Sequence, residues 1–424
     1  MTTRILLTAL LSSAAMLAQD SFLLRGATVH PVTGPDVANA MMLVQEGKIV
    51  EIGAKVAAPK GTKVIDAKGL HVYPGFLNAA TVIGISEVAS VRETNDTNEI
   101  GEFVPAARAV VAVNPESDHI PVARVNGITT VVTMPATLGG GGGGFGGGAG
   151  SSLIRGQAAL LHLDGWTWEE MALRQSIGVL MRFPAIQTRS IDFETFTVTN
   201  RPYTEVKRQY DAEIRKIDEF FERARRYQRA KAANSPEWKL DTQFEAMLPV
   251  LEGKMPLLVP AQRERTIKEA IEFADKHRVK LVLMDVHKPG ATLKTIAEKK
   301  IPVVVGQPTD LPLDDDDAYD ASFSLPAELH KAGIKFAFAT YNNQFARNLP
   351  FEAGFAVGYG LPYDAALKAL TIDAAEIFGV SNVTGSLEKG KSADFFVTDG
   401  DPLEIKTQVK MLFIKGKNIS LETK

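Results

Sequence analysis

The chain has 424 residues, 45% hydrophobic and 23% charged, with a formal net charge of −3. Such a chain can bury one large core and a smaller lobe, and its near-neutral balance gives no basis for a nucleic acid or an anionic membrane surface as partner. With no cysteine, disulfides, cysteine nucleophiles and thiolate metal sites are excluded.

Arg4 precedes the apolar run Ile5–Leu17, and Ala18-Gln19-Asp20 follows. A short positive region, an apolar stretch and small residues predict a secretory signal peptide over residues 1–18, hence an exported, soluble protein of the periplasm or extracellular space. The plain alternative is a buried N-terminal helix. Met16 makes the cleavage site imperfect if the cut follows Ala18. No other apolar stretch approaches the roughly 20 residues needed to cross a bilayer.

Residues 19–73 read as short strands, Phe22–Val29, Ala40–Gln45, Ile49–Ile52 and Lys63–Asp66, with a hairpin turn at Glu46-Gly47-Lys48. Residues 381–424 repeat the texture, with a turn at Gly390-Lys391, strands Ala393–Thr398 and Val409–Ile414, and turns at Asp399-Gly400-Asp401-Pro402 and Gly416-Lys417. Neither segment can bury both faces alone, so the two predict one small β-sandwich built from both chain ends.

Between them, residues 74–380 alternate apolar runs with helices. The candidate strands are Gly75–Gly84, Thr129–Met134, Gly178–Phe183, Met255–Val259, Val279–Met284, Ile301–Val305 and Lys335–Ala339. Continuous apolar runs suit parallel strands covered on both faces. Helices over 263–277, 292–299 and 326–332 complete the rhythm of an α/β fold, a distorted TIM-like (β/α)8 barrel. The runs number seven where eight are expected, so one strand is hidden or the barrel is irregular.

Residues 204–231 place Val206, Tyr210, Ile214, Ile217, Phe221 and Ala224 three or four apart, an amphipathic helix on the barrel's outside. Residues 139–150 hold ten glycines interrupted by Phe145 and Ala149, without the Gly-Lys-Ser/Thr of a phosphate loop, which predicts a flexible loop or lid. The run Asp314–Asp317 lacks calcium-loop spacing and reads as a solvated acidic turn.

Residues 74–82, Pro-Gly-Phe-Leu-Asn-Ala-Ala-Thr-Val, resemble the start of the barrel in the amidohydrolase superfamily, Pro-Gly-(apolar)-(apolar)-Asp-x-His-x-His. Gly385-Ser386-Leu387-Glu388-Lys389-Gly390-Lys391-Ser392-Ala393-Asp394, Asp399-Gly400-Asp401-Pro402 and Phe413-Ile414-Lys415-Gly416-Lys417 resemble its C-terminal end, and Gly47-Lys48-Ile49-Val50-Glu51-Ile52-Gly53 its N-terminal lobe. The resemblance spans roughly residues 22–420 and looks closest to the imidazolonepropionase-like, exported branch. These motifs are turns and strand entries, so they speak for fold and not for activity.

The resemblance implies a hydrolase of non-peptide C–N bonds, amide or cyclic amide, in which metal activates water and an aspartate after strand eight is general base. It asks for two histidines on strand one, a lysine or carboxylate near strand four, and one histidine on each of strands five and six. Here Asn78 takes the aspartate position of the first motif, and Ala80 and Val82 take its histidine positions. Pro260-Ala261 stands where His-Ala is usual, and Thr340-Tyr341-Asn342 where Thr-Asp or Ser-Asp is usual. Methyl, isopropyl and pyrrolidine groups have no lone pair for a metal.

The expectation is therefore a metal-free, cofactor-free and catalytically degenerate member, with no metal ligands assigned. Two alternatives stay open. One is a metal-independent hydrolase with Asp285 and His287 as acid/base pair and Asn78, Gln262, Gln307, Thr340 and Tyr341 orienting the substrate. The other is a pseudoenzyme subunit that binds a small-molecule ligand or a partner, as a homo-oligomer or paired with an active paralogue. Ordinary packing or solvent-facing roles are expected for His30, His71, His119, His162, His277 and His330, and a polar surface loop for Glu87, Asp96, Glu99 and Glu102.

Overall fold

The structure is a computed structural model and describes residues 21–136, 152–186, 188–192, 197–236 and 238–422. The expected signal peptide at 1–18 and the glycine-rich run at 139–150 lie outside the described residues. None of the described helices is long and apolar enough to cross a membrane.

Five strands open the described chain: β1 (Phe22–Val29), β2 (Val37–Gln45), β3 (Lys48–Gly53), β4 (Lys63–Asp66) and β5 (His71–Pro74). The barrel follows as β6 (Phe76–Thr81), β7 (Ile128–Thr133), β8 (Ile154–His162) and β9 (Ala172–Met181). After a short hairpin, β10 (Arg189–Asp192) with β11 (Thr197–Asn200), it resumes as β12 (Leu257–Pro260), β13 (Leu281–Val286), β14 (Val303–Val305) and β15 (Phe336–Ala337). The last strands are β16 (Phe395–Thr398), β17 (Val409–Ile414) and β18 (Lys417–Ile419).

Strands from the two flanks make one continuous sheet in the order β18-β17-β16-β5-β1-β2-β3, with β4 also on β1. The seam joins β5 to β16 in antiparallel register, His71 opposite Thr398 and Pro74 opposite Phe395. The sheet curls until its two hairpin turns meet, and a Cβ on Gly416 would lie 2.9 Å from Gly47 Cα. Inside the curl Phe395 stacks on Phe413 at 4.4 Å between ring centroids, and Phe22 lies 5.0 Å from Phe413. Fully burying an aromatic ring of this kind is worth roughly 1.5–3 kcal/mol, so the rings contributed from opposite flanks fasten the lobe.

The barrel sheet runs β6-β7-β8-β9-β12-β13-β14-β15. It closes where the Ala79 N–H donates to Phe338 O at 3.1 Å and the Tyr341 N–H to Ala80 O at 2.8 Å. The seven apolar runs expected from sequence are all strands, and the eighth is β8. It lies antiparallel to both neighbours, and all nine of its residues are buried. The barrel is thus both eight-stranded and irregular.

Helices cover the outside. Glu264–His277 buries Ile267, Ala270, Ile271 and Ala274 and ends on the left-handed residue Arg278. Tyr203–Ala232 buries Val206, Ile217, Phe220, Phe221, Ala224 and Tyr227. Its neighbour Thr242–Leu251 is capped by Asp241, whose Oδ1 accepts from Gln243 N and Phe244 N. The helix expected at 326–332 begins earlier, at Ala321, and runs to Lys331 with Pro326 inside it.

Candidate functional site

The C-terminal ends of barrel strands are where side chains from different strands can converge around one mouth. At the end of β13 the backbone leaves regular geometry. Pairing with β14 slips between Leu283 and Val286, and Asp285 takes a left-handed φ of 54°. Tyr341, on the chain leaving β15, is left-handed too, at 55°. A bulky residue in that region is unusual and costs about 1–2 kcal/mol unless tertiary contacts hold it. Here the two residues hold each other. The Asp285 N–H donates to Tyr341 Oη at 2.6 Å, and the Tyr341 hydroxyl donates to Val304 O at 3.2 Å.

The bulge aims the Asp285 carboxylate at the next outward residue. Its Oδ1 lies 3.0 Å from His287 Nε2, and its Oδ2 accepts from Gln262 Nε2 at 2.8 Å. Gln262 also fixes His287 through the backbone, its carbonyl accepting from His287 N at 3.2 Å and Lys288 N at 2.8 Å. On the other side Asp310 Oδ2 is 4.0 Å from His287 Nε2, and that oxygen is buried with no hydrogen-bond partner among the described residues. One imidazole is bracketed by two carboxylates.

The electrostatics follow from this packing. Burial disfavours protonated His287, but the hydrogen bond and charge of Asp285, with the charge of Asp310, outweigh it and raise its pKa. Burial pushes Asp310 up to about 6, against the pull of the imidazole. Glu352, on the helix Leu349–Gly358, is also raised by burial, although it accepts from the Thr309 N–H at 3.1 Å and the Thr309 hydroxyl at 2.7 Å.

The remaining expected residues divide into two groups. Asn78 and Thr340 are fully buried and bonded to each other, Nδ2 to Oγ1 at 2.7 Å and Thr340 N to Asn78 Oδ1 at 3.2 Å. With Tyr341, which is 2% exposed, they stand in the barrel wall and tie β6 to the chain after β15. Gln307 accepts from Asn342 Nδ2 at 3.3 Å, and Asn342 also binds Thr340 O at 2.7 Å. Asp285, His287, Gln262 and Tyr341 thus form one network, and Asn78, Thr340 and Gln307 form a second one linked through Asn342.

Sequence reasoning passed over Asp310 and Glu352, and named Asn342 only as a residue of the Thr340-Tyr341-Asn342 motif. Asp310 follows Gln307 by three residues beyond the end of β14, the position the barrel rule favours. Glu352 had a signal too, as a lone carboxylate within the apolar stretch Leu349–Gly358.

At the other motif positions, the end of β6 presents Ala80 and Val82, both buried, and β12 ends in Pro260. Among the described residues, three ligand-type groups come within 4.8 Å of one another at Asp314, Asp316 and Asp317. That acidic run is not merely solvated. Asp314 pairs with Arg263 at 2.5 Å and Lys288 at 3.0 Å, and Asp317 pairs with Lys288, so the run staples its loop over the ends of β12 and β13. Open space reaches His287 through a cavity of about 230 Å³, walled by Pro289, Pro312, Leu313 and Leu325 with Asp317 and Glu328.

The sequence profile of the amidohydrolase family matches residues 260–419. An amidohydrolase from Thermotoga maritima MSB8 superposes with a TM-score of 0.78 at 26% identity, covering 94% of this chain and 99% of that one. The amidohydrolase tasK of Hapsidospora irregularis is 22% identical over 408 residues, 88% of this chain and 39% of that protein. An imidazolonepropionase of Syntrophobacter fumaroxidans is 43% identical over 72 residues, 16% of this chain and 17% of that one. The chain spans well under half the length of these curated relatives. It belongs to the amidohydrolase superfamily.

Proposed function

We propose that this chain is a metal-independent member of the superfamily that binds a small amide or cyclic amide beside His287, the metal-activated-water chemistry having been lost. The observation that carries the reading is the donor set. A resident zinc takes three or four nitrogen, oxygen or sulfur ligands from the protein. Ala80, Val82 and Pro260 offer none, and the nearby imidazole, His287, turns its Nε2 onto Asp285. The residues do not fit such a metal. What remains suits amide recognition. Gln262 and Gln307 carry both donors and acceptors, and Asp285 with Asp310 can accept from an N–H. The cavity of about 230 Å³ that reaches His287 is lined by Lys288, Asp317 and Glu328 rather than by Gln262, Gln307, Asp285 or Asp310, and suits a compact ligand.

The 3.0 Å Asp285–His287 contact favours one second reading, acid–base hydrolysis. His287 would take a proton from water as hydroxide adds to the carbonyl carbon, with Asp285 stabilising the imidazolium. The proton would then pass to the leaving nitrogen as the C–N bond breaks. Elemental analysis of protein made in metal-rich medium, together with calorimetric titration and product analysis over a panel of amides and cyclic amides, separates the readings. We expect no stoichiometric zinc, iron or manganese, and saturable binding that His287→Ala abolishes. One or more tightly held metal equivalents per chain would overturn both. Turnover that disappears in His287→Ala selects the second.

Export rests on Arg4 and the apolar run Ile5–Leu17, and an N-terminus beginning near Gln19 in periplasmic protein would support it. Pairing with an active paralogue belongs to the same reading. Co-purification with such a paralogue tests it, and a monomer throughout would count against it.

A further inference from the structure

We propose that the opposite end of the barrel carries a second binding site, for an amphipathic anion with one carboxylate or sulfonate on an apolar body. A cavity of about 850 Å³ opens at the N-terminal ends of β12, β13 and β14, next to β9, within the size range of ligand sites. At about 3.3 Å per residue, the length of β13 from Leu281 to Val286 sets it about 16 Å from the His287 network.

Its floor is apolar, made by Ile177, Leu281, Val282 and Phe378. Its rim carries five cations, Arg174, Lys254, Lys280, Lys299 and Lys300, against the acids Asp275 and Glu376. Lys254 is engaged by Glu252 at 2.7 Å and Lys299 by Asp275 at 3.0 Å, while Glu376 is taken by Lys335. Arg174, Lys280 and Lys300 have no carboxylate within ion-pair distance among the described residues. Three uncommitted positive groups over an apolar floor make a site whose missing partner is negative at one end and hydrophobic at the other. A neutral apolar ligand would leave the cations unused. A small inorganic anion would leave the floor wet.

The probe is 8-anilino-1-naphthalenesulfonate, titrated by fluorescence into the full-length folded protein. The neutral comparator is N-phenyl-1-naphthylamine, and dodecanoate serves as competitor. We expect saturable 1:1 binding of the sulfonate, displaced by dodecanoate, and at least tenfold weaker in the Lys280→Gln/Lys300→Gln double variant. Arg174→Gln, at an exposed position, gives a second reading should the double variant fold poorly by near-ultraviolet circular dichroism. His287→Ala should leave the affinity unchanged, so loss of amide binding at the mouth and loss of this site are separate results. Non-saturable binding, equal affinity for the neutral probe, unchanged affinity in the rim variants, or loss of binding in His287→Ala would each overturn the proposal.

Discussion

At Gly306 a Cβ would lie 2.0 Å from His287 Nε2 and 2.3 Å from its Cε1, so the imidazole rests against bare backbone beyond β14. Gly306→Ala must push the ring off Asp285. It should cost about 1–3 kcal/mol by urea denaturation, as overpacking does, while Gly358→Ala, with nothing within 4 Å among the described residues, should be neutral or mildly stabilising. The carboxylate facing the ring gives a pH test. Folding raises the Asp310 pKa from 3.8 to about 6, so the native state binds more protons than the unfolded chain across that window. Stability from this group is present at low pH and falls as pH rises through it. His287, also raised, contributes in the same sense, losing its share as pH climbs through its folded value. Asp310→Asn should therefore gain on the parent protein between about pH 4 and pH 7, by on the order of 1 kcal/mol, read from melts at several pH values. A gap that stays constant or closes would refute this. Asp285 and His287 could be found in the sequence because they end a motif strand. Asp310 was harder to see, since its raised value comes from burial, with the Asp285 charge adding to it and the His287 imidazole opposing it, none of which is visible in a linear string.

The seven parallel strands were legible because each is an apolar run bounded by turns. β8 was not, because Arg155, Gly156 and Gln157 interrupt its start and it emerges directly behind the glycine-rich run. What makes it a strand is tertiary. Gln157 N and Nε2 donate to Ala107 O at 2.8 Å and Pro105 O at 2.9 Å, so the loop after β6 lies along it. That loop is less free than its carboxylates suggested, since Glu102 also pairs with Lys216 of the long helix at 2.6 Å. The Pro-Gly-Phe entry to β6 has a steric cause of the same kind. A Cβ on Gly75 would meet Thr129 Oγ1 at 2.0 Å, so β6 and β7 can approach there only at a glycine. Gly69, by contrast, has a positive φ of 77° and open space around it. Gly75→Ala should thus destabilise by more than the roughly 1 kcal/mol of backbone strain expected for Gly69→Ala, a ranking that paired denaturation curves would check. The early start of the helix Ala321–Lys331 was hidden by Pro326, a residue that usually marks a helix's first turn but here lies inside it.

Lobe and barrel are joined at Gly127, where a Cβ would sit 2.8 Å from the Phe396 ring, and at Phe76, whose ring meets Phe396 edge-on at 4.7 Å. Two-sided architecture of this kind was readable from composition at both flanks. The barrel's two functional ends were not, because they depend on which loops and side chains meet in space. The β5–β16 seam also has a consequence for the order in which the molecule can be assembled. β5 stands near the start of the chain and β16 near its far end, so on the ribosome the inner edge of β5 and half of the Phe22 cluster wait until the barrel has been made. Contacts of such long sequence separation form late and leave an open strand edge meanwhile. A chain cut after Lys389 would carry that unpaired edge permanently and should accumulate as aggregate. Supplying residues 390–424 as a separate peptide during refolding should return soluble material, which ties the lobe's timing to its last three strands.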